Sequence, residues 1–212
     1  MPDGDNSFKY AGIILAAGAS RRMGVPKLLL PLGSGSLLIN AVGVLAELMP
    51  TFVVTGANPI ETENHLQNFQ DRLTEEGFAP LRFVYNPGWK TGMAGSIAVG
   101  VKAAAAVNAS AYFIIVADQP GLSAEHTFEY RDVFGRNPTK IIATHYPEGP
   151  GVPAIFPARF REQLLTNRGQ AGAKRILREF PEEVIVVREN HPPFFDIDTP
   201  EDYEQFMGRP LE

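Results

Sequence analysis

The chain has 212 residues, 44% of them hydrophobic, a formal net charge of −5 and no cysteine. That length and apolar content suffice for one full-sized buried core, and the missing cysteines exclude disulfides, a thiol nucleophile and thiolate metal sites. The acidic balance, with no dense basic run, speaks against nucleic acid as the main partner. No early apolar run approaches a membrane-spanning length, and Met1 to Lys9 lacks the charged-then-apolar order of a secretion signal, so the expectation is a cytoplasmic protein without membrane association.

Residues 1–10 are predicted as a flexible N-terminal segment and residues 11–207 as a single domain. Ala11 to Ala16 reads as a buried strand that breaks at Ala17-Gly18 into a loop carrying Ser20, Arg21, Arg22 and Lys27. Small side chains there let a ligand approach the main chain, whose N–H groups can form an anion-binding concavity, and the cations stand where phosphate oxygens would lie. We read this loop as a nucleoside triphosphate site. It matches neither common phosphate motif. A Walker loop needs a hydroxyl residue after its lysine, and Leu28 follows Lys27; the Rossmann fingerprint needs three closely spaced glycines, and only Gly18 and Gly24 occur.

Ser36 is predicted to cap a helix over 37–48, and Thr51 to Thr55 is a short β-branched strand closed by Gly56. Asn58-Pro59 opens a helix that runs to Glu76, and Leu81 to Tyr85 is the third strand. Strands alternating with helices of this length favour parallel pairing through right-handed crossovers, which gathers the loops after successive strands at one sheet edge, where ligands bind. The fold class is therefore α/β: three layers around a doubly wound, mostly parallel, Rossmann-like sheet.

The second loop at that edge runs from Asn86 through Trp89 and Gly92 to Ser96, which begins an alanine-rich helix to Val107. Ser96 near the positive helix end makes it a second clamp on the ligand. Ala111 to Val116 is the most apolar run and a central strand. It ends in Ala117-Asp118-Gln119-Pro120. A carboxylate at the end of a buried strand needs a partner, which a bound cation supplies, and magnesium favours one or two carboxylates together with nucleotide phosphates. Asp118 could equally cap the helix from Ser123.

Lys140 to Thr144 is the next strand, 145–153 is irregular, and Ala154 to Phe156 is a short strand beyond it. Helices over 158–165 and 172–179 and a strand over 183–187 follow. Phe194-Phe195-Asp196-Ile197-Asp198-Thr199-Pro200 closes the pattern. In an extended segment Asp196 and Asp198 project to one side and Ile197 to the other, although both aspartates could instead cap the helix that begins at Thr199. His145 and His191 have no partner at metal spacing and receive no role.

Leu15-Ala16-Ala17-Gly18-Ala19-Ser20-Arg21-Arg22-Met23-Gly24-Val25-Pro26-Lys27 resembles the signature of MobA-like nucleotidyltransferases, and Pro-Lys followed by Leu-Leu-Leu-Pro-Leu is similar to the branch containing molybdopterin cytidylyltransferase. Asn-Pro-x-Trp with Gly-Met-x-x-Ser, Asp-Gln-Pro and Asp-Ile-Asp-Thr-Pro resemble that family's later motifs. The resemblance implies nucleotide binding by Leu15, Ala16, Ala17, Gly18, Ser20, Arg21, Lys27, Gly92 and Ser96. It implies catalytic roles for Lys27, Arg21 and Asp118, and a Mg2+ ion (or Mn2+) on Asp118 and Asp198, with Asp196 the alternative to Asp198. The implied reaction moves CMP from CTP to the phosphate of molybdopterin and releases pyrophosphate. The substrates would be a nucleoside triphosphate and a phosphorylated pterin, with a molybdoenzyme or its chaperone as protein partner. Guanylyl transfer, transfer to a sugar or polyol phosphate, and an accessory protein that binds nucleotide without turnover are the alternatives. The chain departs from the family at Val152, Gln170 and Lys174, where the pattern has histidine, aspartate and arginine, so the acceptor pocket is where a difference in substrate is expected.

Overall fold

The computed structural model describes residues 9–188 and 195–208. Its main sheet comprises β1 (Tyr10–Ala16), β4 (Thr51–Thr55), β5 (Arg82–Tyr85), β6 (Ala111–Val116), β7 (Ile141–Tyr146), β8 (Gly149–Pro157) and β9 (Val184–Val187), in the order β5-β4-β1-β6-β8-β7-β9. A two-stranded ribbon of β2 (Pro31–Leu32) and β3 (Gly35–Ser36) stands apart. β5, β4, β1 and β6 run parallel, as do β7 and β9, while β8 lies antiparallel between β6 and β7.

Alternate side chains of the central strands enter two separate cores, as the two-residue period of a strand demands. Ile14, Val53 and Phe113 pack under α1 (Leu37–Ala46), α2 (Pro59–Glu75) and α4 (Ala124–Arg136). Ile13, Phe52 and Tyr112 pack on the opposite face under α3 (Met93–Ala104), α5 (Arg161–Thr166) and α6 (Lys174–Glu179). The result is the expected three-layer arrangement. Every residue of β1 and β6 is buried, which is why both read as continuous apolar runs. α3 lies tight against the sheet because Gly100 has no side chain: a Cβ there would stand 2.5 Å from Ile13 Cγ2.

Four local expectations are corrected. Tyr10, assigned to the N-terminal segment, is the first residue of β1, and its ring packs edge-on against Phe134. Residues 145–153 are no irregular loop. β7 and β8 form a hairpin, and the prolines at 150 and 153 are tolerated near a register irregularity at Ala143/Thr144, where the ladder is already interrupted. α3 starts at Met93 and not at Ser96, because Gly92 adopts φ 120° and serves as its N-cap. Asp118 does not cap α4, whose N-terminus is closed by a reciprocal Ser123–His126 capping box.

Candidate active site

Parallel pairing of β1 with both β4 and β6 places the loops after Ala16 and Val116 side by side at the carboxyl edge of the sheet, joined by an Ala117 N–H donated to Leu15 O at 3.2 Å. The first loop is held by its own bonds. Ser20, at φ 50°, accepts from the Met23 and Gly24 N–H groups at 3.1 and 3.2 Å, and its hydroxyl accepts from Lys27 N at 3.1 Å. This folds the loop back, so that Lys27 enters a short 3-10 turn with its side chain only 10% exposed.

Lys27 Nζ donates to Asp118 Oδ2 at 2.6 Å and to Asp198 Oδ1 at 2.8 Å, while Arg22 donates to Asp198 Oδ2 at 2.5 Å. Burial pushes the Asp118 carboxyl above its ordinary value against the pull of Lys27. Asp198 has the opposite balance: burial would raise it, but hydrogen bonds and attraction from Lys27 and Arg22 hold it below the ordinary value. Burial would likewise lower Lys27, yet Asp118 and Asp198 together hold the ammonium above its usual value, so it stays charged. Arg21 makes no ion pair among the described residues and lines the same pocket.

The closing segment reaches this point through an Ile197 N–H donated to Asp118 O at 3.0 Å. Ile197 is fully buried with Met23, Leu32 and Leu37, which ties the segment to the first loop. α7 (Pro200–Met207) is capped by Thr199 with Asp202 as its reciprocal partner, and Asp202 also accepts from Asp198 N. The helix start therefore leaves the carboxylates of Asp196 and Asp198 available, and the two differ in surroundings. Asp198 meets Lys27, whereas Asp196 Oδ1 accepts from Gln119 Nε2 at 2.8 Å in a neighbouring cavity.

Three spaces adjoin. A recess of about 210 Å³ holds Leu15, Ala16, Gly18, Ser20, Arg21, Lys27, Asp118 and Asp198. A cleft of about 500 Å³ opens beside it between the first loop and the Trp89 segment, adding Ala17, Gly92 and Ser96. All residues that the sequence singles out as ligand contacts thus border these two spaces. A third cavity of about 580 Å³ is lined by residues that include Gln119, Tyr146, Asp196 and the three departures Val152, Gln170 and Lys174. His145 is exposed and borders none of the three, and His191 lies outside the described residues.

Sequence reasoning assigned no role to Asn86, which is 3% exposed, donates through Nδ2 to Ser96 Oγ at 3.0 Å and accepts from Gly88 N at 2.9 Å. It holds the second loop to the start of α3. The signal that could have revealed it is an asparagine between a strand end and a Pro-Gly turn, where its amide bonds the main chain two residues on. Gly92 fixes the same loop by conformation, since its φ is 120° and a Cβ would lie 2.5 Å from Gly169 O. Gly92→Ala is expected to cost about 1–3 kcal/mol of stability and to weaken triphosphate binding, read by chemical denaturation and by nucleotide titration of the same preparation; unchanged values in both would remove the clamp role.

The donor set suits a hard divalent ion. Two carboxylates converge on one point, held here by the Lys27 ammonium as a stand-in cation, and among the described residues no group of three or more His, Asp or Glu side chains offers a closed cage. Magnesium and manganese accept such a pair when phosphates and water complete the shell.

A family model described as MobA-like NTP transferase domain matches residues 12–186. The chain is 28% identical over 203 residues to purine catabolism protein PucB of Bacillus subtilis, spanning 91% of this chain and 93% of that one. It is also 28% identical over 210 residues to a molybdenum cofactor guanylyltransferase of Rhodobacter capsulatus, spanning 95% and 97%. Among solved structures, Rv0371c of Mycobacterium tuberculosis superposes with a TM-score of 0.79 at 22% identity over 95% of this chain and 99% of that one. Its complex with manganese superposes at 0.72, with 19% identity and the same coverage. At these identities the structural likeness speaks for the fold.

Proposed function

The chain belongs to the MobA-like NTP transferase family, and on that premise we propose that it transfers a nucleoside monophosphate, CMP from CTP, to the terminal phosphate of molybdopterin or the molybdenum cofactor. The observation that carries the reading is the convergence of Asp118 and Asp198 on one cationic point at the floor of a small-residue anion loop, beside a nucleotide-sized cleft that shares Met93, Val116 and Gln170 with a further cavity.

A phosphate monoester is already an anionic nucleophile, so the reaction requires no general base. What it requires is that two anions be held together and that extra negative charge be stabilised in an in-line transition state. The loop amides after Ala16, with Arg21 and Lys27, hold the triphosphate. Asn86 orients Ser96 toward the base or ribose. Asp118 and Asp198 would hold the divalent ion, which polarises the reacting phosphate and neutralises charge as it develops. Arg22, already paired with Asp198, keeps that carboxylate in place.

The base preference has two readings. Ala16-Ala17-Gly18 in place of the Ala-Gly-Gly of the guanylyl branch supports cytidine, and the name of the Rhodobacter capsulatus relative supports guanosine. Pyrophosphate release from each of the four triphosphates, with magnesium and molybdopterin, decides between them. Release with CTP alone is the expected result. Release with GTP alone replaces the base, and tight nucleotide binding without release from any of the four overturns transferase activity in favour of an accessory role.

A further inference from the structure

The 580 Å³ cavity has a wall whose hydrogen-bond donors are all spent within the protein. Gln119 is 6% exposed, and its Nε2 donates to Asp196 Oδ1 at 2.8 Å and to Tyr146 Oη at 3.1 Å, which uses both amide hydrogens. Tyr146 Oη gives its only hydrogen to the Val152 carbonyl at 2.7 Å. Burial pushes the Tyr146 hydroxyl well above the ordinary phenol value, so that hydrogen stays in place. Nor can the Gln119 amide be reversed, because its carbonyl would then face a carboxylate and a phenol oxygen whose proton is committed elsewhere.

The polar atoms that Gln119 and Asp196 leave unbonded are all acceptors, and the donors elsewhere on the lining are the Gln170 amide and the Lys174 ammonium. Gln119 Oε1 is buried without a partner, Asp196 has a second carboxylate oxygen, and Glu148 adds a carboxylate that makes no ion pair among the described residues. A buried acceptor without a donor costs free energy until something supplies an N–H or O–H. The only cation among the described residues lining the cavity is Lys174, which lies beside Gly151.

We infer that Gln119 and Asp196, oriented by Tyr146, are specificity residues that read N–H donors on the acceptor, so that the acceptor turns an amino-substituted heterocyclic edge to this wall. The inference deepens the proposed function and rests on its pterin acceptor. A 2-amino-4-oxo pteridine presents an amino group and a ring N–H along one edge, matching the free acceptors of Gln119 and Asp196. Its 2-oxo counterpart sets a carbonyl against carbonyl and carboxylate oxygens at the same place. Sites built to pair with a substrate N–H discriminate strongly against analogues that lack it, because their own polar groups are then left unpaired.

The test is an equilibrium titration of the full chain with 6-hydroxymethylpterin and with 6-hydroxymethyllumazine, followed by pteridine fluorescence. The wild type is expected to bind the pterin at least about tenfold more tightly. Asp196→Asn supplies an amide N–H to the wall, and Tyr146→Phe frees one Gln119 hydrogen; in each the preference is expected to fall to within about twofold to threefold, with triphosphate affinity retained as the control for folding. Equal binding of both pteridines by the wild type overturns the donor-reading wall and leaves the pterin acceptor standing. Failure of both to bind, while triphosphates bind, overturns the pterin acceptor and the inference with it. An unchanged preference in both variants removes the assignment to these residues.

Discussion

Exchanging Lys27 for methionine is expected to lower kcat/KM for the triphosphate by roughly 10²–10³-fold, the usual loss when one charge-stabilising donor is removed from a site of this kind. The same exchange should make folding stability depend on a divalent ion. Lys27 is the cation between Asp118 and Asp198, whose side chains keep only 22% and 29% exposure. Without it two carboxylates face one another with Arg22 reaching only the second. Removing one partner of a buried ion pair costs about 3–5 kcal/mol, and magnesium can restore part of that loss by binding the folded state alone. Thermal denaturation with and without magnesium checks this. The variant should gain markedly more than the wild type, in which the ammonium already fills the position. An equal gain in both would show that the ion and the lysine do not share the two carboxylates.

Asp118→Asn is expected to lower kcat by roughly 10³-fold, as several kcal/mol of metal-borne stabilisation are withdrawn at about 1.4 kcal/mol per factor of ten, while the fold survives. Burial already disfavours the ionised carboxyl there, so a neutral amide of the same shape removes a desolvation cost, and Lys27 keeps its partner in Asp198. Stability should therefore change by no more than about 1 kcal/mol. The sign of the pH effect follows from the same burial. A carboxyl whose folded-state pKa is raised gives up its proton later, so protons compete with the metal at Asp118 above the ordinary aspartate value. The acid limb of the wild-type kcat/KM profile should move to lower pH as magnesium is raised and should vanish in Asp118→Asn. A limb that ignores magnesium would sink the metal role of Asp118.

Much of the fold is legible because its signals are local. Continuous apolar runs at Ala11 to Ala16 and Ala111 to Val116 can only be strands buried on both faces, and caps and breakers at Ser36, Asn58-Pro59, Gly77 and Thr199-Pro200 bound the helices near their observed ends. The β7–β8 hairpin was not legible, because glycine and proline at 147–153 carry loop statistics, whereas strand formation there depends on cross-strand pairing of 149–151 with 144–146 and on the anchoring of 154–157 to β6, which propensity along the chain does not register. The start of α3 was displaced for a related reason. Gly92 can take φ 120° and cap the helix three residues earlier than a serine would suggest, and the backbone of Gly169 packed against it rewards that conformation.

The sequence by itself determined the order of the main-sheet strands and the helices between them, the chemical character of each loop at the carboxyl edge and the residue types we propose to meet a triphosphate. Only the tertiary structure decided how the two closing aspartates divide their work. Both leave the chain on the side opposite the buried Ile197, as a two-residue period requires. Which one meets Lys27, 171 residues away, and which one meets Gln119, 77 residues away, is set by the way Ile197 docks among Met23, Leu32 and Leu37 and bonds Asp118 O. A spacing along the chain encodes direction about the local axis, and it carries no information on what the fold brings to stand opposite.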